Sequence, residues 1–304
     1  MAKAKSGTSL TLRERLQDWT VALVVGLLHL LPYRWRVPLA GWLAAEIVAP
    51  LTGMRRRIAT NLALARPDLP EAERRRLIRA VPDNLGRFMI ELFSPRDFLR
   101  VVAETPFEGP GLAAIEQATA EGRGVIAVSG HFGNYDVFRS GMIQRGYKVG
   151  GLYRPMNNRA FNTRYVRTIE TLGKPLFRRG RQGFGEMLRF LRKGNMLAIL
   201  HDQHMGKGEP LSFFGQPAYT ALSAAQLALK HDALLVPVYA VRQPDGISFK
   251  VVLEEPIAHS DERTMMQALN DSLEARVRAH MGQWLWTHQR WKTQEREKRK
   301  ARKG

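Results

Sequence analysis

Apolar positions along the chain change rhythm twice. From Trp19 to Leu31 the sequence reads WTVALVVGLLHLL, and Pro32 follows. Crossing a bilayer core takes about 20 apolar residues in one helix; this run is shorter, and His29 interrupts it. A second apolar stretch through Trp35, 37–42 and 47–51 is broken by Arg34, Arg36 and Glu46. No small-residue cleavage site follows cleanly, so a secretory leader fits poorly. The pattern predicts a helix lying on or dipping into a membrane surface, with a single span or a buried core helix as alternatives. Lys3, Lys5, Arg13, Arg15, Arg34 and Arg36 flank it and would keep this end on the cytoplasmic side.

Between residues 55 and 99 the period becomes helical. Ile58, Leu62, Leu77, Ile78, Leu85, Phe88, Met89, Leu92 and Phe93 recur at spacings of three and four. The arginine runs 55–57 and 74–76 read either as a solvated helix face or as a contact for anionic lipid. Past residue 110, short apolar runs alternate with helical stretches. Strands are predicted at 124–129, 148–153, 196–201, 234–240 and 248–253, and helices at 136–144, 160–172, 183–191 and 221–230. A closing helix is predicted over 261–286. Alternation of this kind predicts an α/β fold: a mainly parallel central sheet flanked by helices, behind a helical, membrane-associating N-terminal region. The expected divisions are a membrane-associating segment at 1–52, a single domain at 53–292 and a basic tail at 293–304.

Charge adds a constraint on partners. The 304 residues hold 47 Lys+Arg against 28 Asp+Glu, a formal charge of +19. Residues 290–303 supply +6 of it, so the folded part is basic as well. Phosphates, anionic lipid heads and acidic proteins are the partners such a charge favours. There are no cysteines, which removes disulfides, thiolate nucleophiles and cysteine-ligated metals together.

The candidate chemistry starts where the first long strand ends. Ser129-Gly-His-Phe-Gly-Asn-Tyr-Asp136 leaves that strand and opens a helix, the end of an open α/β sheet where sites form. On a regular helix His131 and Asp136 would stand about 140° apart. They can meet only if His131 lies in the turn, which Gly130 and Gly133 permit. A carboxylate there would fix the imidazole tautomer and free the other nitrogen to take a proton from a hydroxyl. The spacing alone is weak, and His204 and Glu209 repeat it. A turn histidine with a capping aspartate is the plain alternative. His201-Asp-Gln-His204 offers a poor metal site, since a strand puts positions i and i+3 on opposite faces. Gly180-Arg-Gln-Gly-Phe-Gly185 lacks the order of a phosphate loop, and no Gly-x-Ser-x-Gly elbow is present.

Six landmarks together carry a resemblance: Gly130-His-Phe-Gly-Asn-Tyr-Asp136, Tyr153-Arg-Pro-Met-Asn-Asn158, Asp202-Gln203, Phe213-Phe-Gly215, Pro237-Val238 and Trp284-Leu-Trp-Thr-His-Gln-Arg-Trp-Lys292. In this order and spacing, over roughly residues 15–292, the chain resembles the bacterial lipid A biosynthesis acyltransferases of the lauroyl and myristoyl type, within the lysophospholipid acyltransferase superfamily. The resemblance implies an O-acyltransferase at the cytoplasmic face of a bacterial inner membrane, attached peripherally or by a single N-terminal anchor. It would move an acyl chain from acyl carrier protein to a hydroxyl of a phosphorylated lipid A precursor, without metal or cofactor. It implies His131 as general base and Asp136 as the group that orients it. Asn134, Arg154, Arg167, Asp202 and Gln203 fall at substrate-binding or supporting positions. Phe213, Phe214 and Tyr219 are candidates for an acyl groove or for core. Trp284, Trp286, Trp291 and His288 are candidates for a membrane interface or for core. The alternatives are another lipid acceptor with acyl-CoA as donor, and a non-catalytic basic nucleic-acid binder. The latter matches no domain motif.

Overall fold

The computed structural model describes residues 10–293; Lys3, Lys5 and the basic tail beyond Thr293 lie outside them. Helices come first. α1 (Leu12–Leu28) opens with a reciprocal cap: the Thr11 hydroxyl accepts from the Glu14 N–H, and the Glu14 carboxylate accepts from the Thr11 N–H. α2 (Tyr33–Leu43) runs through a π-helical turn, Ala44–Val48, into α3 (Ala49–Leu51). Gly53, at φ 67°, lets the chain bend by 89° into α4 (Met54–Ala65). α5 (Glu71–Leu92) and α6 (Pro95–Ala103) complete this layer.

The remainder alternates, with β1, α7 and β4 added to the elements the sequence predicts: β1 (Phe107–Glu108), α7 (Pro110–Ala120), β2 (Val125–Ser129), α8 (Asp136–Gln144), β3 (Val149–Tyr153), α9 (Arg159–Leu172), β4 (Leu176–Arg178), α10 (Arg181–Leu191) and β5 (Met196–Leu200). A hairpin, β6 (Glu209–Phe213) and β7 (Gln216–Thr220), precedes α11 (Ser223–His231), β8 (Leu234–Arg242), β9 (Phe249–Leu253) and α12 (Glu262–Ala279). Seven strands form one sheet in the order β1-β9-β8-β2-β5-β3-β4. Every neighbouring pair is parallel except β8 with β9. The mainly parallel α/β fold is therefore present. β2 sits at its centre with all five residues buried, which is why its sequence is a continuous apolar run.

One expectation needs correction. The closing helix stops at Ala279 and gives way to a short 3-10 turn, Met281–Gln283. Beyond it the chain turns back to the end of the sheet, and the Leu285 N–H donates to the His131 carbonyl. That return buries Trp284, Trp286 and Trp291 against Phe213 and Phe214. All five are buried in one core cluster, and Trp284 also lines the cavity at the end of the sheet. At the N-terminus, no single described helix is long and apolar enough to cross a bilayer, although 33–51 with 54–65 qualifies as a bent pair by length and composition. What the first helices do present is exposed apolar surface: Trp19 at 70%, Leu30 at 80% and Leu51 at 82% of full exposure.

Candidate active site

β2 and β5 are neighbours, with Ser129 opposite Leu200. Two residues beyond each partner stand His131 and Asp202, so parallel register brings together groups 71 positions apart in sequence. Gly133 makes the turn possible: its φ is 55°, and a Cβ there would lie 1.9 Å from the Ala240 carbonyl oxygen. The His131 ring donates through Nδ1 to Asp202 Oδ1 at 2.7 Å, and the His131 backbone N–H donates to Asp202 Oδ2 at 2.8 Å. Trp284 Nε1–H donates to the same Oδ2 at 2.8 Å. Burial alone would raise the Asp202 carboxyl, but the charge and hydrogen bonds of His131 outweigh it and hold it well below the usual carboxylate range. A carboxylate can only accept, so Nδ1 of His131 carries a proton in this contact, and in the neutral ring it is Nε2 that holds the lone pair. Nε2 lies 3.3 Å from the side-chain amide of Gln203, beside an open cavity that both residues line.

The expected pairing of His131 with Asp136 is not made. Asp136 begins α8, and its Oδ1 accepts from Arg139 Nε at 2.9 Å and Nη2 at 2.8 Å. Arg139 also donates to the carbonyls of Gly173 and Ile169, at 2.8 and 3.1 Å. The Asp136 carboxylate is thus committed to tying α8 to the end of α9. The turn does not close the angle that a regular helix sets between the two side chains, and the neighbouring strand supplies the carboxylate instead. The rival pair His204 and Glu209 does not form either: Glu209 pairs with Arg263 at 3.3 Å, and the His204 N–H donates to His288 Nε2.

The cavity measures about 460 Å³, within the range of small-molecule and lipid-chain sites. Its rim carries His131, Gln203, Arg154 and Arg179; its interior is lined by apolar groups including Leu85, Phe88, Met89, Ala127, Phe138 and Ile169. Tyr135 and Tyr165, hydrogen-bonded to each other, also line it. Burial pushes both hydroxyls up, that of Tyr165 to about 12, so both stay neutral. Of the expected substrate-binding residues, Arg154 and Gln203 stand at the rim, and Asp202 is beneath His131. Arg167 is exposed on α9 and does not line the cavity. Asn134 is wholly buried and donates to Glu91 Oε2 at 2.9 Å. Glu91 in turn pairs with Arg242, so Asn134 belongs to a structural network under the turn. Among the described residues no group of three or more His, Cys, Asp or Glu is arranged to hold a metal ion.

Sequence reasoning missed Trp284 as a donor to Asp202, Arg179 at the rim, and the Glu91–Arg242 pair. Trp284 lay within a recognised landmark, but nothing local marked its indole N–H as the third contact of a carboxylate. Arg179 lay in an arginine-rich stretch that gave no reason to prefer one position over another.

What remains is an imidazole whose Nε2, touched by the Gln203 amide, stands at the mouth of an apolar cavity, backed by an ionised carboxylate and rimmed by arginines. A sequence model of the bacterial lipid A biosynthesis acyltransferases matches residues 3–293. The phosphatidylinositol mannoside acyltransferase of Mycobacterium tuberculosis is 25% identical over 291 residues, covering 86% of this chain and 90% of its own. The lipid A biosynthesis lauroyltransferase of Escherichia coli is 27% identical over 256 residues, covering 79% and 80%. A lipid A biosynthesis acyltransferase of Haemophilus influenzae is 24% identical over 280 residues, covering 90% and 87%. The chain belongs to the bacterial lipid A biosynthesis acyltransferase family.

Proposed function

We propose that this acyltransferase moves a fatty acyl group from an acyl carrier protein thioester to a hydroxyl of a lipid A precursor, with His131 as general base and Asp202 as its orienting carboxylate. The observation that carries the reading is the His131–Asp202 contact at the mouth of the apolar cavity. The acceptor hydroxyl gives its proton to His131 Nε2 as its oxygen attacks the thioester carbonyl. Asp202 stabilises the imidazolium that results. When the tetrahedral intermediate collapses, the C–S bond breaks and the imidazolium protonates the departing thiolate. Products are the O-acyl ester and the free carrier thiol. The acyl chain occupies the cavity, where its hydrocarbon leaves water at about 0.8 kcal/mol per methylene. Arg154 and Arg179, with no ion-pair partner among the described residues, are available to phosphate at the rim. Asp136 has no part in the proton transfer and acts through Arg139.

The enzyme works at the cytoplasmic face of the inner membrane, its first helices lying in the interface. Trp19, Leu23, Leu27, Leu30 and Trp35 are exposed on α1, α2 and the turn between them, apolar side chains of the kind that enter a headgroup boundary. α1 is also pinned next to the cavity mouth. Arg164 pairs with Asp18 at 2.8 Å, and Asn158 donates to Gln17 at 2.9 Å. A membrane bound there would present lipid acceptors close to His131.

The mycobacterial relatives favour a second reading, in which the acceptor hydroxyl belongs to another membrane glycolipid. Mass spectrometry of products from purified enzyme, carrier-protein and coenzyme A thioesters and a panel of acceptors decides between them. Acylated lipid A precursor from the carrier thioester is the expected product. Transfer only to another glycolipid replaces the acceptor, and no ester from any combination removes the activity.

A further inference from the structure

Resting on the acyl-transfer reading, we infer that one register row of the sheet gauges the length of the acyl chain. Along one face of β3, β5 and β2, side chains alternate by two and form rows across the strands. Nearest His131 is the row of Ser129 and Leu200. The next row inward is Gly151, Ala198 and Ala127, in register across three neighbouring strands. All of these line the cavity. One row deeper stand Val149, Met196 and Val125, also in register. They are almost fully buried and do not line the cavity. The space therefore ends where the row changes from the smallest side chains to large ones, a step of about 7 Å along the strands.

A second feature gives the cavity a polarity. Ser129 is buried, and its Oγ has no hydrogen-bond partner among the described residues. An unpaired hydroxyl in the row next to His131, with Ala127, Ala198 and Gly151 in the row behind it, suits an occupant that has an acceptor oxygen at its head and hydrocarbon next to it. A thioester carbonyl followed by an acyl chain has that form. Beside Gly151 the Arg139–Asp136 pair also lines the cavity; its carbonyl and carboxylate contacts hold it in place, so the wall there does not yield.

The gauge is tested from both sides. Ala198→Val fills the small row, and Met196→Ala extends the space beyond it. Donors of graded length are compared by kcat/KM, with thermal unfolding reporting that each variant is folded. Ala198→Val should lower the preference for the longest accepted donor over one several methylenes shorter by about tenfold or more. Met196→Ala should move the cut-off to longer donors. Unshifted length profiles in the folded variants, with the unaltered enzyme active, overturn the gauge and leave the acyl-transfer reading standing. If the unaltered enzyme transfers no acyl group, that reading has failed. The gauge is then read by displacement of a fluorescent fatty acid with saturated fatty acids of graded length. Opposite shifts in the two variants support it there, and unshifted lengths overturn it.

Discussion

His288 shows how one buried group sets a response to pH. Burial, with nearby cationic groups, lowers its pKa from the ordinary 6.5 to about 4, and its Nε2 accepts from the His204 N–H. The unfolded chain therefore binds a proton that the folded chain refuses between those values. Its contribution to stability is complete above about pH 6.5 and is lost as pH falls toward about 4. Buried His201 has the same sign. His288→Gln, which retains an acceptor, should flatten the decline of Tm over this window; an unchanged slope would place the response elsewhere. At this scale the sequence was half informative. His131 and the glycines of its turn were legible because the motif is local. Its carboxylate was not, because Asp202 reaches it through strand register, which no spacing in sequence encodes.

Among elements, the strands were the most legible. β2, β5 and β8 are apolar runs long enough to show as continuous hydrophobicity, whereas β3 is interrupted by Gly150 and Gly151 and β9 by Lys250. β1 and β4, of two and three residues, are too short to carry a pattern. The hairpin of β6 and β7 holds Pro210 and Pro217, which count against strands when read alone. The tie between elements is buried charge. Glu91 from α5 joins Arg242 at the end of β8 and Asn134 of the turn that carries His131. Glu91→Ala would leave a buried guanidinium unpaired, with an expected loss of about 3–5 kcal/mol. Denaturant unfolding checks this, and a loss below 1 kcal/mol would show that water replaces the carboxylate.

Over the whole molecule, the basic charge and the exposed apolar helices point toward one kind of surface. Sequence showed both, but not that α1 is fastened to the segment leading from Arg154 into α9. Replacing Trp19 and Trp35 with Ser removes apolar area worth about 1.5–3 kcal/mol per side chain when buried. Sedimentation with vesicles containing anionic lipid should fall at least about tenfold in partition coefficient, and raised salt should weaken what remains. Unchanged binding by the double variant would move the attachment to the arginine-rich helices or the tail.

The central claim is that the carboxylate serving His131 is Asp202 and not Asp136. Acyl transfer by Asp202→Asn and Asp136→Asn, measured side by side at saturating donor and acceptor and normalised to folded protein, tests it directly. Asp202→Asn should lower kcat by about 10²–10⁴-fold, since the amide no longer holds the tautomer or steadies the imidazolium. Asp136→Asn should stay within about tenfold of the unaltered enzyme, its cost falling on thermal stability through Arg139. The reverse order, with Asp136→Asn inactive and Asp202→Asn nearly unimpaired, would contradict the assignment.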